Sequence, residues 1–78
     1  PNPFNPVTTI EFSIPKQEFV NLKVYNILGK EVKNLVSNNL QAGKYTVNFD
    51  ASNLPSGMYF YKLSAGSYSS VKKMTLLK

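Results

Sequence analysis

The chain has 78 residues, of which 42% are hydrophobic, 13% aromatic and 17% charged, enough for one small domain with a thin core. It contains no cysteine and no histidine, which removes disulfide staples, thiolate and imidazole metal ligands, cysteine nucleophiles and imidazole bases, and argues against an enzyme. The net charge is +5 and every basic residue is a lysine. Without the planar fork of arginine, and with only one adjacent pair (Lys72-Lys73), the lysines read as a solvated cationic surface and not as a nucleic-acid reader. Such a surface suits an anionic partner, for instance a phosphorylated surface polysaccharide.

The opening Pro1-Asn2-Pro3-Phe4-Asn5-Pro6 forces extended backbone and removes amide donors, so residues 1–7 read as a proline-rich linker or edge segment and residues 8–78 as the folded domain. A start of this kind, with no initiator Met, reads as the middle of something longer, and the chain as a terminal module. No apolar run approaches the ~20 residues of a membrane-spanning helix.

From Thr8 onward the hydrophobic period is two, as in strands with one buried face. Thr8 to Ile14 places Ile10, Phe12 and Ile14 inward, and Pro15-Lys16-Gln17 breaks the run. Phe19 to Ile27 places Val20, Leu22 and Val24 on one side against Asn21, Lys23 and Tyr25 on the other. Asn26-Ile27-Leu28-Gly29 has Asn where a type I turn begins and Gly where positive φ is needed. Glu31 to Val36 is ambiguous, because Val32 and Leu35 have opposite parity and Leu28, Val32, Leu35 and Val36 also line one helical face. Gly29 and the flank Ser37-Asn38-Asn39 favour a strand.

Lys44 to Asp50 alternates cleanly, with Tyr45, Val47 and Phe49 inward. Asp50 accepts backbone amides and caps the turn that follows. Leu54-Pro55-Ser56-Gly57 is a second turn, Met58 to Ala65 is rich in β-formers, and Gly66-Ser67 fits a two-residue hairpin loop. In the last strand, Tyr68 to Leu77, Val71 is out of phase with Met74 and Leu76. A bulge at Lys72-Lys73 would restore one apolar face; otherwise Leu77 stays exposed. The pattern gives an all-β fold, a small immunoglobulin-like antiparallel β-sandwich of six or seven strands, the seventh being an edge strand around Phe4 to Val7.

The acids Glu11, Glu18, Glu31 and Asp50 are too dispersed for a metal loop, and the four glycines stand singly at turns, so no catalytic, cofactor or metal residue is expected. Tyr25 and Tyr68 are the rings parity leaves outside, but no cluster of amides or acids accompanies them as a sugar platform would require.

Six pieces in series, PNPFNP, TTIEFSIP, LKVYNILGKEV, AGKYTV, LPSGMYFYKL and KKMTLLK, resemble the C-terminal sorting domain of type IX secretion substrates over essentially the whole chain. The resemblance implies a non-catalytic immunoglobulin-like sandwich that directs a larger cargo across the outer membrane, through the periplasm to the cell surface or extracellular space of a Gram-negative bacterium. As partners it implies the outer-membrane secretion machinery and a surface sortase that cleaves the domain as cargo is released or attached to anionic lipopolysaccharide. The family's Pro-x-Gly-x-Tyr element falls on Pro55, Gly57 and Tyr59, and its late pair of lysines on Lys73 and Lys78, which become the candidate partner-recognition residues.

Two other readings compete. The LPSGMYFYKL stretch also resembles the immunoglobulin-like domain of flagellar hook-capping proteins, a structural role. Alternatively the domain is an adhesive module that forms homo-oligomers or filaments by strand addition at its edges.

Overall fold

A computed structural model describes residues 7–77; the proline-rich residues 1–6, with most of the candidate edge strand, and Lys78 lie outside the described residues. Six strands follow in chain order: β1 (Val7–Ile14), β2 (Glu18–Asn26), β3 (Glu31–Leu40), β4 (Gly43–Asp50), β5 (Gly57–Ala65) and β6 (Tyr68–Leu76). β1 and β4 form a two-stranded sheet; the other four form a sheet in the order β3-β2-β5-β6, and every pairing is antiparallel. In immunoglobulin terms β1 and β4 occupy the places of strands B and E, and β3-β2-β5-β6 those of C′-C-F-G.

The core follows from the alternation in sequence. Val20, Leu22 and Val24 on β2 are fully buried, as is Phe49 on β4. They divide the interior into two clusters. One gathers Ile10, Ile14, Val20, Leu22, Leu63 and Ala65; the other gathers Val24, Phe49, Ala51, Tyr59 and Leu76. Burying each large side chain of this kind stabilises the fold by about 1.5–3 kcal/mol. Across the small sheet Phe12 stacks on Tyr45, its direct cross-strand partner, with ring centroids 5.5 Å apart. On the opposite, outward phase, the Thr9 hydroxyl donates to Asn48 Oδ1 at 3.1 Å.

The parity conflict in β3 has a specific cause. The β2–β3 register shifts twice, so that Val36 and Asn34 face neighbouring β2 residues and Leu35 is extra; likewise Lys33 and Glu31, with Val32 extra. Bulges at those two points turn both Leu35 and Val32 toward the core, where each is half-buried. β3 also continues through the Asn-rich stretch to Leu40.

The bulge expected at Lys72-Lys73 is absent. β5 and β6 stay in one unbroken register from Gly57↔Leu76 to Ala65↔Tyr68. Val71 therefore points outward at 58% exposure, and Lys72 shares the inward phase with Met74 and Leu76. Phase switching brings gain only where a second layer covers the strand. Met74 and Leu76 pack against the core, while Tyr68 and Lys72 at the other end of β6 are exposed. Leu77 is exposed as well.

Two turns are built as their residues require. At the β2–β3 turn the Gly29 N–H donates to the Asn26 carbonyl (2.9 Å), and the N–H groups of Leu28 and Lys30 both donate to Asn26 Oδ1 (2.9 and 3.0 Å). Gly29 takes φ +81°, the left-handed residue that returns the chain. At the β5–β6 turn Gly66 has φ +59° and no non-glycine residue has positive φ, the combination of a type II′ hairpin.

Because Asn26 Oδ1 satisfies two amides at once, Asn26→Ala is expected to destabilise the domain by about 1–2 kcal/mol. Urea denaturation measures it, with the outward Asn48→Ala expected to stay within about 0.5 kcal/mol.

Candidate recognition surface

The candidate residues Pro55, Gly57 and Tyr59 meet at the corner where β4 passes to β5. Asp50 starts that corner: its Oδ1 accepts the Ser52 N–H at 2.9 Å, the expected cap, and the Leu54 N–H donates to the Ala51 carbonyl at 3.0 Å. Tyr59 ends it. Its ring is buried at 6% exposure, and its hydroxyl donates to the Pro55 carbonyl at 2.7 Å. A tyrosine near the start of strand F that bonds back to the chain just upstream is the tyrosine corner of immunoglobulin sandwiches. A second brace of the same spacing joins the Tyr45 hydroxyl to the Gln41 carbonyl where β3 passes to β4. Pro-x-Gly-x-Tyr is thus first a mechanical element, in which Tyr59 fixes the path of Pro55 and Gly57 over the surface.

Lys73 lies elsewhere. It sits on the outward face of the four-stranded sheet opposite Phe60, whereas Tyr59 points inward. One row further along that face Lys23 and Lys62 stand directly opposite each other. Like charges so placed oppose sheet pairing, and Glu31 relieves the strain by approaching Lys23 to 3.4 Å. Lys62, Lys73 and the half-buried rings of Tyr25 and Phe60 therefore make a cationic, partly aromatic face. Of the two rings expected outside by parity, Tyr25 is half-buried beside Phe60 on the outward face, and Tyr68, opposite the buried Ala65, lies on the inward row of β6 and is 58% exposed because that end is uncovered.

The residues that sequence reading did not single out are Ile27 and Leu28, 68% and 87% exposed at the tip of the β2–β3 turn. The signal was present: two adjacent aliphatic residues inside a turn that polar residues would normally fill. The register Asn26↔Tyr59 brings this tip beside the Tyr59 corner, and Gly57↔Leu76 brings the end of β6 there too. A depression of about 300 Å³ runs between tip and corner, bordered by Ile27, Val32, Leu54, Pro55 and Met58. Exposed Ile27, Leu28, Met58 and Leu77 thus gather at one pole of the sandwich, where isolated exposure would need no explanation but a cluster marks an interaction site.

Among the described residues no group of acidic side chains is placed to hold a metal ion, and no helix is long and apolar enough to cross a membrane.

A family model for the secretion system C-terminal sorting domain matches residues 1–77. The chain belongs to that family. It is a non-catalytic sorting domain of the type IX secretion system, and it directs the secretion of cargo across the outer membrane by engaging that machinery. Searches of curated proteins and of solved structures return no match.

The buried Tyr59 hydroxyl is expected to contribute about 1 kcal/mol, so Tyr59→Phe should lower the melting temperature by roughly 4–8 °C while leaving the strand pairings intact. Thermal unfolding together with amide chemical shifts checks both parts.

Proposed function

We propose that the secretion machinery reads this domain as a folded surface, and that the surface is the pole formed by the β2–β3 tip, the Pro55–Tyr59 corner and the end of β6. The observation that carries the reading is the aliphatic pair Ile27 and Leu28, held in the open by a turn that Asn26 ties with two side-chain hydrogen bonds. Keeping two large apolar residues in water costs a few kcal/mol that burial against a partner would recover. Pro55 and Gly57 contribute a rigid, low-relief neighbour, Tyr59 sets their position, and Lys73 and Lys78 supply charge.

The finer steps fit the same picture. The domain takes its cargo to the cell surface or extracellular space of a Gram-negative bacterium, a surface sortase removes it, and the proline-rich opening before β1 forms the linker to the cargo. Lys23, Lys62 and Lys73 on the open sheet face favour an anionic surface polysaccharide as a second contact.

Self-assembly through the edges of the four-stranded sheet is disfavoured by its own edge. β6 carries Lys72 and Lys73 at mid-strand, and pairing of two such edges would oppose four cations. Light scattering at about 100 μM is expected to show a monomer below 0.2 M salt, roughly the range in which charge repulsion still acts; a concentration-dependent series of larger species would support the adhesive reading instead.

The test of the pole is a cargo fusion carrying Ile27→Ser and Leu28→Ser. Both side chains are largely in water, so stability should change by no more than about 0.5 kcal/mol. Export is expected to fall at least tenfold, about 1.4 kcal/mol of lost contact. Undiminished export by the folded double variant would rule the pole out.

A further inference from the structure

The roof of this sandwich is narrower than its floor. A two-stranded sheet faces a four-stranded one, and strands within a sheet lie about 4.8 Å apart. The floor is used fully on the β3 side, where Leu35, Val36 and Leu40 pack against the core. On the other side the inward row of β6 is left open from Tyr68 to Lys72. The result is a ledge. Its wall is β1, with Ile10 and Phe12; its base is Leu63 on β5 with Tyr68, Ser70 and Lys72 on β6. The groove here measures about 280 Å³ and continues past Tyr68 into an apolar hollow of about 410 Å³ beside Ile14, Pro15 and Ala65.

No β4 residue borders the ledge, so the edge of β1 turned toward it is the one β4 does not pair. In the immunoglobulin plan this is where strand A lies against strand B, and no described residue fills it. An unpaired strand edge beside a half-apolar floor is the geometry that accepts an added strand.

We propose that this ledge binds one extended segment of a partner protein, which pairs its main chain with the free edge of β1 and sets an acidic side chain on Lys72. The partner is the secretion machinery of the reading above, on which this inference rests for the occupant's identity but not for the binding itself. Two observations select that occupant. The first is width: the floor overhangs β1 by about one strand, so a second sandwich pairing edge to edge through β1 would drive its own β6 into this one. The second is charge. Lys72 takes part in neither ion pair formed among the described residues, which join Lys16 to Glu18 and Lys23 to Glu31. An anion arriving on the inward row of the added strand meets it, while Glu11, which also borders the groove but alternates to the outward phase of β1, discourages acids on the opposite row.

The sequence signature of the donated strand is apolar alternation over about five residues with Asp or Glu in the apolar row.

The experiment has two arms. In the first, the 78-residue chain, isotope-labelled, is titrated with the blocked peptide Val-Thr-Val-Thr-Asp-Thr-Val, whose odd positions form the inward row. Saturable shifts are expected in β1 and in Tyr68 to Lys72, with new exchange protection in β1. Replacing the peptide's Asp by Lys should weaken binding about tenfold, and Lys72→Glu in the chain should invert that preference. N-methylation of alternate peptide amides should abolish binding. Shifts confined to the outer edges of β3 or β6, or no saturable binding, would overturn the proposal.

The second arm places Ser70→Trp in a cargo fusion to fill the ledge, with Thr46→Trp on the outward face of the roof as control. Loss of export with Ser70→Trp and not with Thr46→Trp is expected. If deletion of all 78 residues blocks export but Ser70→Trp does not, the ledge proposal fails and the sorting reading stands. If the deletion leaves export intact, the sorting reading fails and the peptide arm alone decides the ledge.

Discussion

Everything in this domain is arranged around one strand. Val20, Leu22 and Val24 on β2 have no exposed surface, β2 is paired along both edges, and the two core clusters meet across it. With 78 residues there is material for one such row and little more. The economy shows at the margins. β3 needs two bulges to bring Leu35 and Val32 onto the covered face, and β6 is covered only at the end where Met74 and Leu76 reach the second cluster. A thin core therefore produces the open features directly: a roof two strands wide cannot cover a floor of four.

The division between interior and surface also explains how a domain with no reaction of its own can act. The side-chain hydrogen bonds of the corners and turns serve shape: Tyr59 and Tyr45 tie their corners, Asn26 ties a turn, and no buried side-chain polar atom among the described residues lacks a hydrogen bond. Outside, the features that would be liabilities in a purely structural module remain: aliphatic residues at a turn tip, lysines opposed across strands, and an uncovered β1 edge. Each is what a partner could use. Tyr59 shows why motif residues need not be contact residues, since its contribution passes through the backbone it holds.

Much of this was legible in the sequence because antiparallel strands with one buried face write their phase plainly. The inward sets on β1, β2 and β4, the Asn26–Gly29 turn and the Asp50 cap all stand where alternation and turn chemistry placed them. The failures have one source. A bulge is visible only as a parity conflict, and parity alone does not say whether the conflict is resolved by bulging or by leaving a residue in water. In β3 the roof is present and the chain bulges; in β6 it is absent and Val71 simply faces outward. Which strands are roofed depends on the other sheet's width, a property of topology that no local window contains. The exposed Ile27 and Leu28 were hidden differently, since a sequence shows a turn and two aliphatic residues without showing that nothing covers them.

The central claim is that recognition needs the folded shape and not merely the string of residues. The most direct measurement compares export of a cargo fusion carrying Leu22→Asp, which places an unpaired charge in the fully buried row of β2 and unfolds the domain while leaving every surface residue in the chain. Circular dichroism of the isolated variant establishes the unfolding. The account predicts that such a fusion stays behind the outer membrane; export at the unaltered rate from a demonstrably unfolded domain would contradict it.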